Sequence, residues 1–409
     1  MPPEPVMPRA GDPWVQTAVI LWIAVLALIC IRVAIYPHKR TLYTTWEQAG
    51  SDWENGRDLY RNTWDADKDQ FRYSPLVAVL LVPFHHLPLR LGGVVWRLLN
   101  AAALLGGFAW WLRTAPVRRT ARQQGILFLL MLPLSLGSLN NGQPNPLIIG
   151  LLLAALAAIE REGWSLAAVF VALATALKVY PLAVGLLLVA VYPLRFAPRL
   201  LLALVLVFLL PFVCQHGEYV RGQYASWLHR LRADQRYDWP LHMAYRDLWL
   251  LIRAWHLPLT PRAYLGIQLG SAAGCAVLCV AARLRGLPRR EVLGLILALG
   301  TCWMMLCGPA TESSTYVLLA PALSWAVLGA FGDRWPWPLR MLVGSSFVLL
   351  LLSVLAGLHP SVKELHALGP HPLGALLLTI ASVAMAVRAL MAIRPAFSTG
   401  AAETPARAA

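Results

Sequence analysis

The chain alternates between long apolar runs and short polar segments over almost its whole length. About twelve apolar runs are typical of membrane helices, because most extend over ~15–25 residues with few charges. They cover residues 14–36, 75–113, 124–139, 145–160, 164–177, 181–194, 200–214, 263–284, 291–307, 314–331, 339–358 and 372–391. The pattern predicts an all-α integral membrane protein, built as a polytopic helical bundle.

One of these runs, 75–113, is too long to be a single membrane helix, because helical residues over this range would extend roughly 58 Å. It contains Pro83-Phe84-His85-His86-Leu87-Pro88, and a proline removes a backbone donor and breaks a helix. We therefore expect a broken or partly re-entrant element here.

A second type of pattern lies in the first long polar segment. The stretch Leu42–Trp53 places Trp46, Ala49, Gly50 and Trp53 at near-helical spacing. This spacing predicts a short amphipathic helix lying on the membrane, which ends at Asn55-Gly56 because this pair is a good helix stop.

Composition supports a membrane protein, since 58% of the 409 residues are hydrophobic and only 13% are charged. The net charge of +15 is explained by arginines in alternate inter-helix segments, which place the N-terminus inside. The basic inner segments include Arg118, Arg119 and Arg122; Arg195 and Arg199; Arg285, Arg289 and Arg290; and Arg334 and Arg340. No nucleic-acid partner is needed to explain the charge.

The domain organisation is predicted to be simple. Residues 1–12 and 395–409 are rich in Pro and Ala and are expected to be loose ends, and residues 13–394 form one polytopic membrane domain with elaborated outer loops at 37–74 and 215–262. No small-residue cleavage site follows the first apolar run, so that run is interpreted as a retained helix.

This topology places the polar motifs on the outer face. The first is a polar turn, Asn140–Asn145, which interrupts an apolar stretch, and Lys178 and Glu312 follow similar stretches. Amides and charges at membrane depth are costly unless they line a wet cavity or bind a ligand. Carboxylates crowd the first outer loop: Glu47, Asp52, Glu54, Asp58, Asp65, Asp67 and Asp69.

Each candidate also has a structural interpretation. Asn141, Gln143 and Asn145 fit hydrogen bonding to a sugar or phosphate, or a helix-capping turn. Lys178 fits a lipid phosphate, or snorkelling to the interface. Glu312 fits a general base or hydroxyl anchor, or a helix N-terminal acid.

Residues of the second outer loop and the first-loop carboxylates also have both a functional and a structural interpretation. Aromatic and arginine side chains of the second loop suit sugar stacking and phosphate binding, or an interfacial belt: Tyr224, Trp227, Arg230, Arg232, Asp234, Arg236, Tyr237, Asp238 and Trp239. The first-loop carboxylates supply a base or form a solvated acidic loop.

Motifs of other enzyme classes are missing from the sequence. It contains no P-loop, no GxGxxG and no HExxH spacing, which disfavours a nucleotide-driven pump or a Rossmann enzyme. The six cysteines lie in or beside apolar spans and are interpreted as buried small residues. No cofactor and no metal cluster is predicted, although first-loop carboxylates could hold a divalent ion.

Five ordered motifs resemble glycosyltransferase family 87, the polyprenol-phosphate-sugar-dependent transferases. They are Asp58-Leu59-Tyr60, Phe71-Arg72-Tyr73-Ser74-Pro75-Leu76, Pro83–Pro88, Asn141-Gly142-Gln143-Pro144-Asn145 and Lys178-Val179-Tyr180-Pro181. The resemblance runs from about residue 41 to residue 330. It implies the glycosyltransferase C fold, an extracytoplasmic active site and transfer from a lipid-phosphate carrier to an acceptor hydroxyl, usually with inversion.

The sequence departs from the family at two places. Aligned on Ala49-Gly50, the usual base aspartate corresponds to Leu42 and its aromatic partner to Trp46, so Glu47 and Asp52 are the nearest substitutes. The family's histidine-containing turn corresponds to 308–316, which has no histidine, and Glu312 is expected to take that role.

The sequence therefore predicts a membrane hexosyltransferase that transfers mannose or a pentose to a lipid- or glycan-linked acceptor. We expect it in the bacterial inner membrane. Glu47, Asp52 and Glu312 are the predicted catalytic residues, and Lys178, Asn141, Gln143, Asn145, Tyr73 and Tyr180 the predicted donor and substrate ligands. The alternatives are a flippase for lipid-linked sugars and a non-catalytic glycolipid-binding protein.

Overall fold

The computed structural model of the chain describes residues 11–61, 70–115, 119–233, 237–333, 335–358 and 360–392. Within these ranges the chain forms seventeen α-helices and two 3-10 segments. Some of the predicted features lie outside the described residues: most of both loose ends, Asp65, Asp67, Asp69, Asp234, Arg236, Arg118 and Arg334.

The helices follow the apolar runs closely. The first nine are α1 (Pro13–Ile35), α2 (Tyr43–Glu54), α3 (Pro75–His85), α4 (Leu89–Arg113), α5 (Ala121–Asn141), α6 (Asn145–Glu160), α7 (Trp164–Leu177), α8 (Leu182–Val191) and α9 (Pro193–Leu209). The others are α10 (Pro211–Cys214), α11 (Gly217–Ala233), α12 (Leu248–Ala254), α13 (Pro261–Leu284), α14 (Arg289–Cys307), α15 (Ala320–Gly332), α16 (Trp337–Leu358) and α17 (Pro370–Ala392). The 3-10 segments are Ser313–Leu319 and Pro360–Leu368.

Eight helices of the described chain are long and apolar enough to cross a membrane. They are Pro13–Ile35, Leu89–Arg113, Pro193–Cys214, Pro261–Leu284, Arg289–Cys307, Ser313–Gly332, Trp337–Leu355 and Pro370–Ala392. Shorter apolar helices, such as α6, α7 and α8, account for part of the difference from the predicted count of about twelve. The all-helical membrane architecture is thus supported, and the higher span count stays a prediction.

The long run 75–113 is broken where the sequence predicted. Helix α3 ends at His85, and α4 begins at Leu89 after Pro88. Eleven residues extend only about 16 Å as a helix, roughly half of a bilayer core. The two halves of this run are therefore not two equal membrane spans.

The centre of the bundle is α6, which is buried on nearly all sides. It packs directly on α4 through paired glycines: a Cβ atom on Gly107 would lie 2.3 Å from the carbonyl oxygen of Gly150. A Cβ atom on Gly150 would lie 2.3 Å from the carbonyl oxygen of Ala103. Small residues let membrane helices approach at backbone distance, and this contact fixes the start of α6 beside α4.

The segments predicted to be cytoplasmic meet at one end of the bundle. Arg289 forms an ion pair of 2.5 Å with Glu162, and Arg290 donates a 3.0 Å hydrogen bond to Thr114. Helix α5 starts near this end and finishes at Asn141, about 30 Å away by helix length. The polar turn after α5 therefore lies at the opposite end from the arginine-rich segments.

The predicted amphipathic helix is present as α2 and ends at Asn55 and Gly56, where Gly56 has a φ of +64°. Its apolar face is not free to lie in lipid, because Trp46 and Trp53 are buried in the protein core. A Cβ atom on Gly50 would lie 2.7 Å from the Leu81 carbonyl oxygen of α3. The helix was correctly predicted, but its expected position on the membrane surface is corrected to a packed position against α3.

Candidate active site

A cavity of about 1680 Å³ opens at the end of the bundle where α5 terminates. Its walls come from seven parts of the chain: α1, the α1–α2 link, the end of α5 with the turn after it, the loop before α12, the turn before the first 3-10 segment, α16, and the stretch from the second 3-10 segment into the start of α17. Asn141, Gln143 and Glu312 line it. These residues lie far apart in sequence, so the fold assembles this polar site.

Four side chains form a hydrogen-bonded chain that runs from behind the cavity wall to the cavity. The Tyr180 hydroxyl donates to Asn145 Oδ1 at 3.2 Å, and Asn145 Nδ2 donates to Gln143 Oε1 at 2.6 Å. Gln143 Nε2 then donates to Glu312 Oε2 at 2.8 Å. The two amides thus hold one orientation, which presents an N–H donor to the carboxylate.

The polar turn connects the end of α5 to the start of α6. Gly142 takes the left-handed conformation, with φ +71°, and ends α5, as glycine commonly does after a helix. Asn145 starts α6, but no side chain caps this helix. The capping interpretation of Asn145 is therefore replaced by its contacts with Gln143 and Tyr180.

Glu312 is fixed by its own backbone as well as by Gln143. It occupies the N-cap position of the 3-10 segment Ser313–Leu319, and its N–H donates to Thr315 Oγ1 at 3.2 Å. Glu312 is therefore an acid at the N-terminus of a helical segment, as its structural interpretation predicted. The carboxylate nevertheless faces the cavity, so the capping position also holds a negative charge at the cavity wall.

Lys178 lies behind this wall, in the link between α7 and α8. Its Nζ is 5.5 Å from the centre of the Tyr180 ring, and the residue is partly buried. Burial lowers the pKa of Lys178 to about 8, an effect that the Glu312 carboxylate opposes and Arg72 reinforces. Lys178 therefore carries a charge that can be lost just above neutral pH.

A buried arginine, Arg97, holds the polar turn by hydrogen bonds. It was not among the residues predicted from sequence. Arg97 on α4 is fully buried and donates at 2.9 Å to three oxygens, the Asn140 carbonyl, the Gly93 carbonyl and the Thr41 hydroxyl. Arg32 of α1 also donates to the Asn140 carbonyl, at 3.0 Å. Cations at a helix C-terminus are stabilised by the helix dipole, and the two arginines clamp the end of α5.

Leu42, which the resemblance aligns with the family's aspartate, lines the same cavity as Glu312. Its N–H donates to the Asn141 carbonyl at 2.8 Å, which joins the start of α2 to the polar turn. An apolar side chain therefore stands at the position where the resemblance implies a base.

Glu47 and Asp52 do not line this cavity. Glu47 contacts His85 Nδ1 at 2.8 Å. Asp52 is 4% exposed and is paired with Arg57 at 3.0 Å and Arg61 at 3.2 Å. Because the Asp52 carboxylate is held by two guanidinium groups and does not line the cavity, Asp52 fits a structural role.

The remaining predicted ligands pack into the protein rather than the cavity. Tyr73 lies 4.2 Å from the Trp46 ring, between centroids, and its carbonyl accepts from Tyr60. In the second outer loop, Trp227 donates to the Arg72 carbonyl at 3.1 Å and Tyr224 to the Phe208 carbonyl at 2.7 Å. These aromatic residues therefore fix loops and helices to each other.

The cavity also contains residues that the sequence analysis missed. Arg246 reaches it from the loop before α12, and His366 and His371 from the segment leading into α17. Their only sequence signal was their position in predicted outer segments, which many other residues share. The histidines lie on a different element from the family's histidine-containing turn.

Comparison with curated proteins identifies a relative of stated activity. The chain is 27% identical over 294 residues to the "Polyprenol-phosphate-mannose-dependent alpha-(1-2)-phosphatidylinositol pentamannoside mannosyltransferase" of Mycobacterium tuberculosis (strain CDC 1551 / Oshkosh). The match covers 68% of this chain and 65% of that protein, so it spans less than two thirds of the relative's length.

Comparison with protein-family models gives a second match. Residues 71–309 match glycosyltransferase family 87, which is more than half of the chain. The matched range contains the polar turn, Lys178 and Arg246, and it ends three residues before Glu312. This match, together with the mannosyltransferase relative, confirms the predicted family and the predicted glycosyltransferase class: the chain belongs to glycosyltransferase family 87.

Proposed function

We propose that this protein transfers a sugar, with mannose the first choice, from a polyprenyl-phosphate donor to a lipid- or glycan-linked acceptor. The observation that carries the proposal is the Glu312 carboxylate, which lines a large cavity and is oriented by Gln143 at 2.8 Å. Mannose is chosen because the name of the mycobacterial relative states a polyprenol-phosphate-mannose donor.

In the proposed reaction, Glu312 is the general base. Its carboxylate takes the proton of the acceptor hydroxyl while that oxygen bonds to the anomeric carbon of the sugar. The bond from the anomeric carbon to the phosphate oxygen breaks, and its electron pair leaves with polyprenyl phosphate. The attack occurs opposite to the leaving group, which gives inversion, as the family resemblance implies.

Gln143 and Asn145 are assigned to positioning in this scheme. Gln143 holds one carboxylate oxygen, and Asn145 and Tyr180 hold Gln143, so Glu312 needs little reorganisation before proton transfer. Lys178 stands on the far side of this chain and does not line the cavity, so its positive charge is assigned to favouring the departing phosphate through its electrostatic field, without direct contact. Asn141 lines the cavity and is assigned to polar contacts with substrate.

The topology is proposed from charge. The arginine-rich segments gather at one end of the bundle and the cavity lies at the other. Because arginine-rich loops stay in the cytoplasm, the cavity is proposed to open on the extracytoplasmic face of a bacterial inner membrane. A cysteine-labelling reagent that cannot cross the membrane would test this with a single cysteine at exposed Ser313.

The direct test is transfer by the purified protein in liposomes. Radiolabelled polyprenyl-phosphate-mannose is supplied with a crude lipid extract of the host, and the Glu312→Gln variant is measured beside the wild type. Labelled product that is lost in the variant supports the proposal. Glu364→Gln is the matched control, because this exposed carboxylate lines the same cavity without a contact to Gln143.

Other outcomes select the alternative functions. Movement of labelled lipid across the bilayer without product would overturn the transferase and favour a flippase. Binding of donor without transfer, over a panel of sugars, would favour a non-catalytic glycolipid-binding protein. The Glu312→Gln substitution also separates these two functions. It leaves the shape of the cavity nearly unchanged, so a binding protein should keep its affinity for ligand, whereas a transferase should lose turnover.

A further inference from the structure

The wall of the cavity contributed by the loop before α12 and the start of α17 carries a second polar cluster. Its members are Arg246, His242, His366 and His371. Arg246 is only 8% exposed and His371 only 2% exposed. Buried arginine and histidine side chains are costly to desolvate, so their presence at a cavity wall calls for a chemical reason.

Arg246 is held rigidly in this wall. Its N–H donates to the Thr311 carbonyl at 2.7 Å, and its carbonyl accepts from the Tyr316 hydroxyl at 2.7 Å. These two bonds fasten the loop on both sides of Glu312. The guanidinium is therefore placed in fixed relation to the proposed base.

In the described part of the chain no carboxylate forms a direct ion pair with Arg246, although Glu312 and Asp247 lie close enough to favour its charged form. Its Nη1 and Nη2 atoms donate to the Leu241 and His242 carbonyls, at 2.9 and 2.8 Å. A guanidinium has five N–H donors, so these two bonds leave three others. The backbone carbonyls fix the orientation of the fork, and no carboxylate of the described chain contacts it directly.

His371 adds a second, independent observation. Its Nδ1 atom is buried and has no hydrogen-bond partner, while its ring packs 4.8 Å from the Tyr316 ring. Buried polar atoms nearly always have a partner, and a bound ligand that enters the cavity would provide one. Arg246 and His371 both contact Tyr316, so they belong to one cluster.

We propose that Arg246 and His371 form an anion subsite that binds a phosphate group in the cavity. The proposal deepens the proposed function and rests on it. The planar guanidinium fork matches two phosphate oxygens, and the histidine is a further donor. Lys178 does not line this cavity, so this subsite is separate from the phosphate ligand predicted from sequence.

The phosphate has two sources in a reaction of this kind: the polyprenyl-phosphate donor, or the headgroup of an anionic acceptor lipid. On the donor, the subsite stabilises the charge that develops on the leaving phosphate. On the acceptor, it anchors the lipid so that a hydroxyl reaches Glu312. The chemistry of recognition is the same, and the two sources are separated by experiment.

The test measures binding and does not depend on turnover. The purified full-length protein in nanodiscs of neutral lipid is titrated with polyprenyl phosphate and, in a second arm, with phosphatidylinositol. We expect Arg246→Gln to weaken the binding of one ligand roughly tenfold or more, because a charge-assisted bidentate contact is lost. Arg246→Lys keeps the charge and is expected to lose less, and His371→Asn is an independent probe.

The matched control is Arg253→Gln. Arg253 is on α12, donates to the Trp239 carbonyl at 2.6 Å and does not line the cavity. It therefore undergoes the same chemical change without touching the subsite. Wild-type affinity in Arg253→Gln, together with weaker binding in Arg246→Gln, supports the proposal. The ligand whose binding is weakened in Arg246→Gln identifies the source of the phosphate.

Two results would overturn the subsite. One is wild-type affinity for both ligands in folded Arg246→Gln and His371→Asn proteins; if Arg246→Gln does not fold, Arg246→Lys and His371→Asn decide. The other is a wild-type protein that binds neither ligand. Binding that depends on Arg246 in a protein without transfer activity would contradict the proposed function but support the subsite.

Discussion

Gln143 and Glu312, 169 positions apart in the chain, are joined by a hydrogen bond of 2.8 Å from the Gln143 side-chain amide to the Glu312 carboxylate. The bond connects the turn between α5 and α6 to the turn before the 3-10 segment Ser313–Leu319. It aims a carboxylate at the cavity from a backbone position that is itself capped. The proposed chemistry depends on this arrangement of the two side chains.

Replacing the proposed base should abolish most turnover. We expect Glu312→Gln to lower kcat by about 10²–10⁴-fold, the usual contribution of a general base, with little change in donor KM. The measurement is initial-rate transfer at saturating donor. If Glu312→Gln keeps more than a tenth of the wild-type rate, another group is the base.

A carboxylate at position 42 should partly restore the turnover that Glu312→Gln loses. Leu42 lines the same cavity and precedes α2, where aspartate is favourable as a helix cap. We therefore expect Leu42→Asp to raise the rate of Glu312→Gln at least severalfold. Leu42→Asn is the control, since it has the same shape without the charge, and equal rescue by both would rule out proton transfer.

Removing the Gln143 amide should lower kcat more than it changes KM. We expect Gln143→Ala to lose roughly tenfold to a hundredfold, because the carboxylate loses the donor that orients it. In the double variant with Glu312→Gln the losses should not add, since both residues act through one contact. Additive losses would indicate that Gln143 acts on substrate directly.

The charge of Lys178 gives a pH prediction. Because burial lowers the pKa of Lys178 to about 8, its ammonium is present below pH 8 and is lost as the pH rises above it. Donor affinity should therefore fall as the pH rises through about 8. In Lys178→Arg this fall in affinity should be missing, because arginine stays protonated in proteins. A pH profile of Lys178→Arg that equals the wild-type profile would contradict a role in donor binding.

The buried arginine clamp predicts a loss of both stability and activity. Arg97→Lys keeps the charge, but one ammonium cannot reproduce three hydrogen bonds to Asn140, Gly93 and Thr41 in the fixed geometry of a guanidinium. We expect a lower melting temperature in detergent and faster hydrogen exchange in the turn 140–145. Arg90→Lys, at an exposed position of the same helix, is the control and should change neither.

Two adjacent glycines of α4 give an internal comparison of packing. An added Cβ at Gly107 would meet the Gly150 carbonyl, whereas at Gly106 it would meet nothing within 4 Å. Gly107→Ala should therefore separate α4 from α6 and reduce the yield of folded protein. Gly106→Ala should be neutral or stabilising by up to about 1 kcal/mol, because alanine favours a helix over glycine. Equal effects would mean that the α4–α6 contact does not control folding.

Much of the local structure could be predicted from the sequence. The apolar runs predicted the helices, the prolines of 83–88 predicted the break between α3 and α4, and Asn55-Gly56 predicted the end of α2. Each of these depends on residues close in the chain, through backbone hydrogen bonding and side-chain periodicity. The ordered motifs also indicated the family that the comparison confirmed.

The membership of the candidate site could be predicted only in part. The polar turn and Glu312 were identified because polar residues in apolar stretches stand out. Arg246 and His371 were missed because a polar residue in a polar segment carries no such signal. Glu47 and Asp52 seemed equally suitable as bases until their partners His85, Arg57 and Arg61 were known.

The sequence by itself thus determined the class of protein, its helices and its family, since hydrophobic periodicity and short motifs are local properties. Only the tertiary structure decided that Gln143 meets Glu312, that Leu42 shares their cavity and that Arg246 lies in its wall. The physical reason is that a contact between distant segments depends on how helices pack. The close approach of α4 to α6 at Gly107 and Gly150, and the clamp of Arg97 on the end of α5, set that packing.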